Sequence, residues 1–293
     1  MTALDEAPRS AAAAWLGEAR HFWRGFAGNA PALMGAAIVL LLVAVAVAAP
    51  ALAPADPDLQ DLARRLAPPS AAHWLGTDEL GRDILARLLY GSRVTLSVVV
   101  AIGATVPLAG LAVGCAAGFF GGIVDSVLMR TADVFLAFPR LILALALVAA
   151  MGPGIGHAAL AIALAAWPPY ARLARAETLG VRGRDFIAAA RLSGAGPFRL
   201  LLRHVAPLCL PSLIVRASLD MAGVILTAAG LGFLGLGAAP PTAEWGAMIA
   251  TGRRFMLDQW WVAAAPGAAI ALATLGFNLL GEGLRDLLDP RQR

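Results

Sequence analysis

Few residues in this chain are of a kind that does covalent chemistry, and those few are not spaced to work together. The four histidines, His21, His73, His157 and His204, are scattered along the sequence. The two cysteines, Cys115 and Cys209, fall at or in apolar segments, where a thiol packs like a small aliphatic group. Neither a disulfide framework nor a metal-ligand spacing is present. The sequence therefore gives no catalytic residue and no metal ligand. All 23 residues of the Lys/Arg class are arginine. A phosphate-cradling loop needs Gly-Lys-Ser/Thr, so if ATP drives this protein, another chain binds the ATP.

Charged and small residues do gather at particular places. The segment Thr77-Asp78-Glu79-Leu80-Gly81-Arg82-Asp83 reads as a turn tied by ion pairs. Asp125, Arg130 and Asp133 could pair with one another. Arg216 and Asp220 stand four apart near the inner end of an apolar run and can pair on one helix face. Ionisable groups inside a membrane are costly and often functional, which makes Asp220 a candidate pathway or gate residue. Gly230, Gly232, Gly235 and Gly237 follow it and permit close helix packing or a bend; Gly232, Gly235 and Gly237 join the candidate gate. Pro240, Pro241, Glu244 and Trp245 read as a turn leading into a short helix.

The densest basic segment is RGRDFIAAARLSGAGPFRLLLRHVAP, from Arg182 to Pro207. Asp185 can cap a helix that starts at Phe186. Ala188, Ala189 and Ala190 are strong helix formers whose small side chains admit a close partner surface. Arg191 and its neighbouring arginines suit acidic groups or lipid headgroups. Gly194 and Gly196 end the helix, Pro197 suits the first turn of the next, and Pro207 closes that one.

The elements that position these groups are membrane spans. Of 293 residues, 59% are hydrophobic and 14% charged, with a mean hydropathy of +0.75. A soluble chain would carry about a quarter charged residues. The apolar runs are rich in Ala and Leu without alternation, so the fold class is an all-α integral membrane protein rather than a β-barrel. Six spans are expected: Pro31–Leu52, Leu96–Phe119, Leu136–Met151, Ala158–Ala171, Leu213–Leu236, and a sixth ending near Leu280. Before them, Trp15, Leu16, Ala19, Phe22, Trp23 and Phe26 recur at helical spacing, as in an amphipathic interfacial helix; no signal peptide is recognisable. The resulting divisions are an N-terminal region 1–30, a first span with its outer segment 31–92, a main transmembrane domain 93–285 containing the basic loop 172–207, and a tail 286–293. With the N-terminus inside, sixteen arginines fall on the cytoplasmic side and seven outside, which puts both termini in the cytoplasm. In a membrane chain the pI near 10 reports topology, not nucleic-acid binding.

The basic loop resembles the EAA loop of bacterial ABC-importer permeases, Glu-Ala-Ala-x3-Gly-x9-Ile-x-Leu-Pro. It matches at Ala189, Ala190, Gly194 and Pro207. It departs at Ala188, where the family has Glu, at His204 (Ile) and at Ala206 (Leu). HWLGTDELGRDILARLLYGSRVTL, GFFGGIVDSVLMRTADVFLAFP, GFLGLGAAPPTAEWGAMIATGR and FNLLGEGLRDLLDP are similar to the C-type permease subunit of dipeptide, oligopeptide and nickel importers. The resemblance implies a type I ABC-importer (MetI-like) permease fold in the bacterial inner membrane. The implied partners are a homologous permease in a heterodimer, two ATPase subunits carrying ATP and Mg, an extracytoplasmic substrate-binding protein, and the lipid bilayer. It also implies that Asp185, Phe186, Ala188, Ala189, Ala190, Arg191, Gly194, Pro197 and Pro207 meet the ATPase. Peptide is the first expected substrate and nickel or a nickel chelate the second. The rival of another class is a secondary transporter driven by an ion gradient, for which Asp220 is the one plausible buried ionisable group and no inverted repeat is evident.

Overall fold

The computed structural model describes residues 23–288. Of the expected interfacial helix, Trp15, Leu16, Ala19 and Phe22 lie outside the described residues. Residues 23–28 are helical, and Trp23 meets Phe26 edge-on at 5.8 Å. The tail beyond 288 is also outside them.

Helix α1 is Ala30–Leu52, started by Asn29, whose Oδ1 accepts from the Ala32 N–H at 3.0 Å. Helix α2 is Ile84–Phe120, started by Asp83, which accepts from the Ala86 N–H at 2.8 Å. It begins a dozen residues before the expected Leu96. Its 37 residues make a rod of about 55 Å, so its outer turns stand above the hydrocarbon. Helices α3 (Gly122–Leu136) and α4 (Arg140–Met151) are bent against each other by 93°. Helix α5 is Ile155–Val181 and helix α6 is Asp185–Leu192. Helix α7 is Pro197–Leu200; it runs through a π turn, Leu201–Val205, into α8, Ala206–Phe233. Helix α9 is Trp245–Gly252 and α10 is Trp261–Leu288. Among the described residues there is no strand, and one isolated bridge pairs Thr77 with Asp83.

Four helices are long and apolar enough to cross a membrane: α1, α2, the α7–α8 rod and α10. The bent α3–α4 pair makes a fifth. The expected third span, Leu136–Met151, straddles the bend, and α4 alone, at 12 residues, reaches only about 18 Å. Helix α5 has the length, but its inner half carries Arg172, Arg175 and Glu177, which lower its apolarity.

The most extensive helix contact is α2 on α5. Gly110, Gly114 and Gly118 recur every fourth residue along α2. A Cβ on them would collide with Tyr170, with Ala171 and Ala174, and with Thr178, respectively. Small residues at this spacing let two helices touch backbone to backbone, which lipid-embedded packing favours. Cys115 and Cys209 meet beside Thr178 in this seam, Sγ to Sγ 3.9 Å, both buried as packing residues.

Ahead of α2, the Thr77–Asp83 turn is tied down as its charges suggested. Arg82 Nε donates to Asp78 at 2.7 Å, His73 Nδ1 sits 2.9 Å from Asp83, and Arg87 Nη1 reaches Asp58 at 3.2 Å and the Pro241 carbonyl at 3.3 Å. On α3, Asp125 and Asp133 do not pair with Arg130. They reach across to α5 instead, Asp125 to Arg175 and Asp133 to Arg172. Arg175 meets Asp125 with two nitrogens, a bidentate geometry stronger than a single contact.

Replacing Gly114 by Leu should overpack the α2–α5 seam and cost roughly 1–3 kcal/mol. Thermal melting of the detergent-purified protein should show the loss. Gly180→Ala on α5, whose Cβ meets nothing within 4 Å, should not lower the melting temperature and should raise it slightly through helix propensity.

Candidate functional site

The basic loop folds into two short helices on the inner ends of α5 and α8. Helix α6 starts one residue earlier than expected: Arg184 is its N-cap, and Asp185 occupies the first turn without capping it. Asp185 therefore acts only as an acidic group near the positive helix end. At the other end the Gly194 N–H donates to the Arg191 carbonyl at 3.0 Å and the Ala195 N–H to the Ala190 carbonyl at 3.1 Å. These two bonds form a Schellman cap, which places Gly194 at φ +84°. Pro197 opens α7 as expected, with Gly196 as N-cap.

Pro207 does not close a helix. It lies at the start of α8, inside a rod that continues from Pro197 to Phe233. The π turn just before it widens the ladder, with the Ala206 N–H reaching back to the Leu201 carbonyl, so the proline's missing donor is absorbed there.

Ile187 is buried against the body and fixes the rotation of α6. Asp185, Phe186, Ala188, Ala189, Arg191 and Leu192 then face outward, and Ala190 is half-buried. Leu192 is 90% exposed, Phe198 68% and Leu202 69%. Sequence reasoning missed these three apolar side chains; their signal was large apolar residues in a basic loop with no span to bury them. Arg182 Nη1 holds the loop to α2 by donating to the Gly118 carbonyl at 2.8 Å, and the Phe198 ring lies tilted against Phe120 with centroids 5.9 Å apart. The result is a rigid, exposed knob with a flat alanine centre, apolar rims and guanidinium groups around it.

The candidate gate separates into two places. Gly232, Gly235 and Gly237 lie at the outer end of α8. There Gly235, at φ +79°, ends the helix with a second Schellman cap. Gly232 and Gly237 form a notch filled by the Glu244 carboxylate; a Cβ on Gly232 would fall inside it. Glu244 caps α9 by accepting from the Gly246 and Ala247 N–H groups at 2.8 and 2.9 Å. Burial pushes its carboxyl pKa up, and the two N–H donors oppose that shift. Gly232 and Gly237 thus seat the residue that caps α9.

Asp220 lies three turns deeper. It does not pair with Arg216, which makes no ion pair among the described residues. Arg140, at the first turn of α4, donates from Nη1 to Asp220 Oδ1 at 2.7 Å, and the Tyr170 hydroxyl donates to Oδ2 at 3.2 Å. Because α8 begins at Ala206 and not at Leu213, Asp220 sits near mid-helix rather than at the inner end. No cluster of metal-ligating side chains occurs among the described residues.

Substitution at Gly194 tests the knob's geometry. Gly194→Val should cost about 1–3 kcal/mol of local stability through left-handed strain, whereas Asn tolerates that conformation. Hydrogen exchange over residues 185–200 should accelerate in the Val variant and stay near parental in Gly194→Asn.

Residues 110–293 match the family described as binding-protein-dependent transport system inner membrane component. Residues 19–69 match the N-terminal TM domain of oligopeptide transport permease C. The probable D,D-dipeptide transport system permease protein DdpC of Escherichia coli (strain K12) is 48% identical over 264 residues, 90% of this chain and 89% of that one. The di/tripeptide transport system permease protein DppC of Pseudomonas aeruginosa (strain UCBPP-PA14) is 44% identical over 303 residues, 99% of this chain and 98% of that one. The nickel transport system permease protein NikC of Escherichia coli (strain K12) is 45% identical over 253 residues, 86% and 91% of the two chains. In fold, the chain is similar to one from the inward-facing methionine ABC transporter MetNI, with a TM-score of 0.54, 19% identity, and coverage of 70% of this chain and 97% of that one.

Proposed function

The chain belongs to the family of binding-protein-dependent transport system inner membrane components, and we propose that it is the permease subunit of an ATP-driven importer of di- or oligopeptides in the bacterial inner membrane. It is a transport component and not an enzyme. The observation that carries the mechanism is α6: a knob fixed to three spans, exposed on one face, in a chain with no lysine to build a phosphate loop.

On this reading the knob sits in a groove of one of two ATPase subunits, which bind ATP and Mg. Phe186, Ala188, Ala189, Arg191 and Leu192 make the contact; Asp185, Gly194 and Pro197 shape it, and Pro207 marks the joint into α8. The alanine at position 188 leaves that contact without the glutamate found in the related loop, and Leu192 and Phe198 supply apolar area beside it. A homologous permease completes the pathway, and a binding protein delivers substrate from outside.

Six membrane segments fit this assembly: α1, α2, the bent α3–α4 pair, α5, α8 and α10. An even number of crossings puts both ends of the chain on one side, and the arginine distribution makes that side the cytoplasm. The cycle is alternating access. Closure of the ATPase pair pushes α6, and the push passes along α5 and α8 to the middle of the membrane. Nickel is the second reading, favoured by the likeness to the nickel permease.

Uptake into proteoliposomes bearing the assembled transporter tests both readings, with a radiolabelled dipeptide and with nickel as separate probes. ATP-dependent dipeptide accumulation is expected; accumulation driven by a proton gradient without ATP would overturn the ABC reading. Arg191→Glu should uncouple ATP hydrolysis from uptake while the protein still inserts, and unchanged coupling removes Arg191 from the contact. Ala188→Glu should preserve or strengthen co-purification with the ATPase; loss of assembly would mean the partner groove is fitted to alanine.

A further inference from the structure

Arg140 meets its carboxylate differently from Arg175 and Arg82. Arg175 gives both Nε and Nη2 to the Asp125 carboxylate, and Arg82 gives Nε to Asp78 and Nη2 to Glu79. These two nitrogens form the side-on edge of the guanidinium, the edge whose parallel N–H groups match a carboxylate. Arg140 holds Asp220 through Nη1 alone. Its Nε and Nη2 are enclosed and have no hydrogen-bond partner. A pair evolved only to brace two helices would not leave its best donors unmet, because a buried donor without a partner is destabilising.

The surroundings favour an anion on that edge. Arg140 begins α4 immediately after the 93° break, and no side chain caps this helix end. A discontinuous helix inside a membrane presents a positive end to anionic ligand groups. Gly223, one turn beyond Asp220, faces the pair without a side chain: a Cβ there would stand in contact with both Arg140 Nη1 and Asp220 Oδ1 at 3.7 Å. Asp220 retains 15% side-chain exposure and Arg140 26%, so the pair borders the molecular surface. Tyr170 behind it is buried and holds the second carboxylate oxygen. Asp220 is 14 residues beyond Ala206 in α8, about 21 Å along the helix, and Tyr170 is 11 residues before the end of α5, about 16 Å from it. Both distances place the cluster near the middle of the bilayer.

We propose that Arg140 and Asp220, braced by Tyr170, form a mid-membrane subsite for the two charged ends of a peptide in transit. The free Nε/Nη2 edge of Arg140 takes the terminal carboxylate, and Asp220 takes the ammonium group. In the present conformation the two residues satisfy each other and the fork is closed over. Movement of α4 about residues 137–139 opens it, and the arriving zwitterion exchanges with the internal pair without leaving a lone charge in the membrane. The subsite rests on the peptide reading above and adds the feature of the substrate that the membrane domain itself recognises.

Arg140→Lys is the discriminating variant, since lysine keeps the charge opposite Asp220 but has no fork. The test uses the assembled transporter in proteoliposomes with ATP and dialanine. The Lys variant should co-purify with its partners and lose uptake by about tenfold, the effect of one lost charge-assisted bidentate contact. Parental uptake in Arg140→Lys would overturn the subsite. If the Lys variant does not assemble, photo-crosslinking of the parent decides: a dipeptide bearing a benzophenone on its C-terminal side chain should label residues near Arg140 on α4 or Asp220 on α8, and labelling elsewhere alone would overturn the proposal. Absence of any ATP-driven dialanine uptake by the parent would instead strike the peptide reading itself.

Discussion

The seam between α2 and α5 is the constraint on which the rest of the structure depends. Gly110, Gly114 and Gly118 bring the two backbones into direct contact, and several polar anchors are hung from one or other of the two helices. The outer end of α2 carries Arg87, which gathers Asp58 and the Pro241 carbonyl into the outer cap. Its inner end supplies the Gly118 carbonyl that anchors Arg182. Helix α5 supplies Arg172 and Arg175 to hold α3, and Tyr170 to hold Asp220. Lipid gives no hydrophobic drive for helix association, so close packing and paired charges must do this work. A shift of either helix would move the outer cap, the inner knob and the central pair together.

On the proposed reading, that connectivity suits a part that transmits force. Helix α6 follows α5 after three residues, and α7 runs without a break into α8. The Schellman cap at Gly194 and the buried Ile187 keep α6 from rolling in place. A push on its exposed face therefore reaches Tyr170 through one helix and Asp220 through another, and these two side chains are hydrogen-bonded. The π turn at Leu201–Val205 lies on this route, where the knob joins the span.

Composition made the class of protein legible, because a chain this apolar cannot hide its helices from lipid elsewhere. The loop was legible through local rules: glycine at a helix end and proline at a helix start are set by backbone geometry within a few residues. What the sequence concealed depended on distant partners. Arg216 and Asp220 have the spacing of an ion pair, yet the partner of Asp220 is Arg140, eighty positions away. The glycines at 232 and 237 signalled close packing or a bend; what they pack against is Glu244, whose approach no periodicity announces. The start of α2 at Ile84 was hidden because its outer turns carry Arg87 and Arg93, which look unlike a span and need not be one in a rod that outgrows the membrane.

The exclusive use of arginine fits the same physics. A lysine offers one compact charge that must be hydrated or matched at a point, whereas a guanidinium stays charged and divides its donors among several acceptors. Arg87 does this at the outer cap, meeting Asp58 and the carbonyls of Pro57 and Pro241 with a single nitrogen, while Arg82 shares two nitrogens between two carboxylates. Each satisfied edge removes a reason for the side chain to move. By that logic an arginine whose best edge is enclosed and empty is the one with a reason to change partners. Arg140 is such a residue, and it stands at the 93° bend between α3 and α4, where on the proposal above a small rotation presents the edge to a new partner.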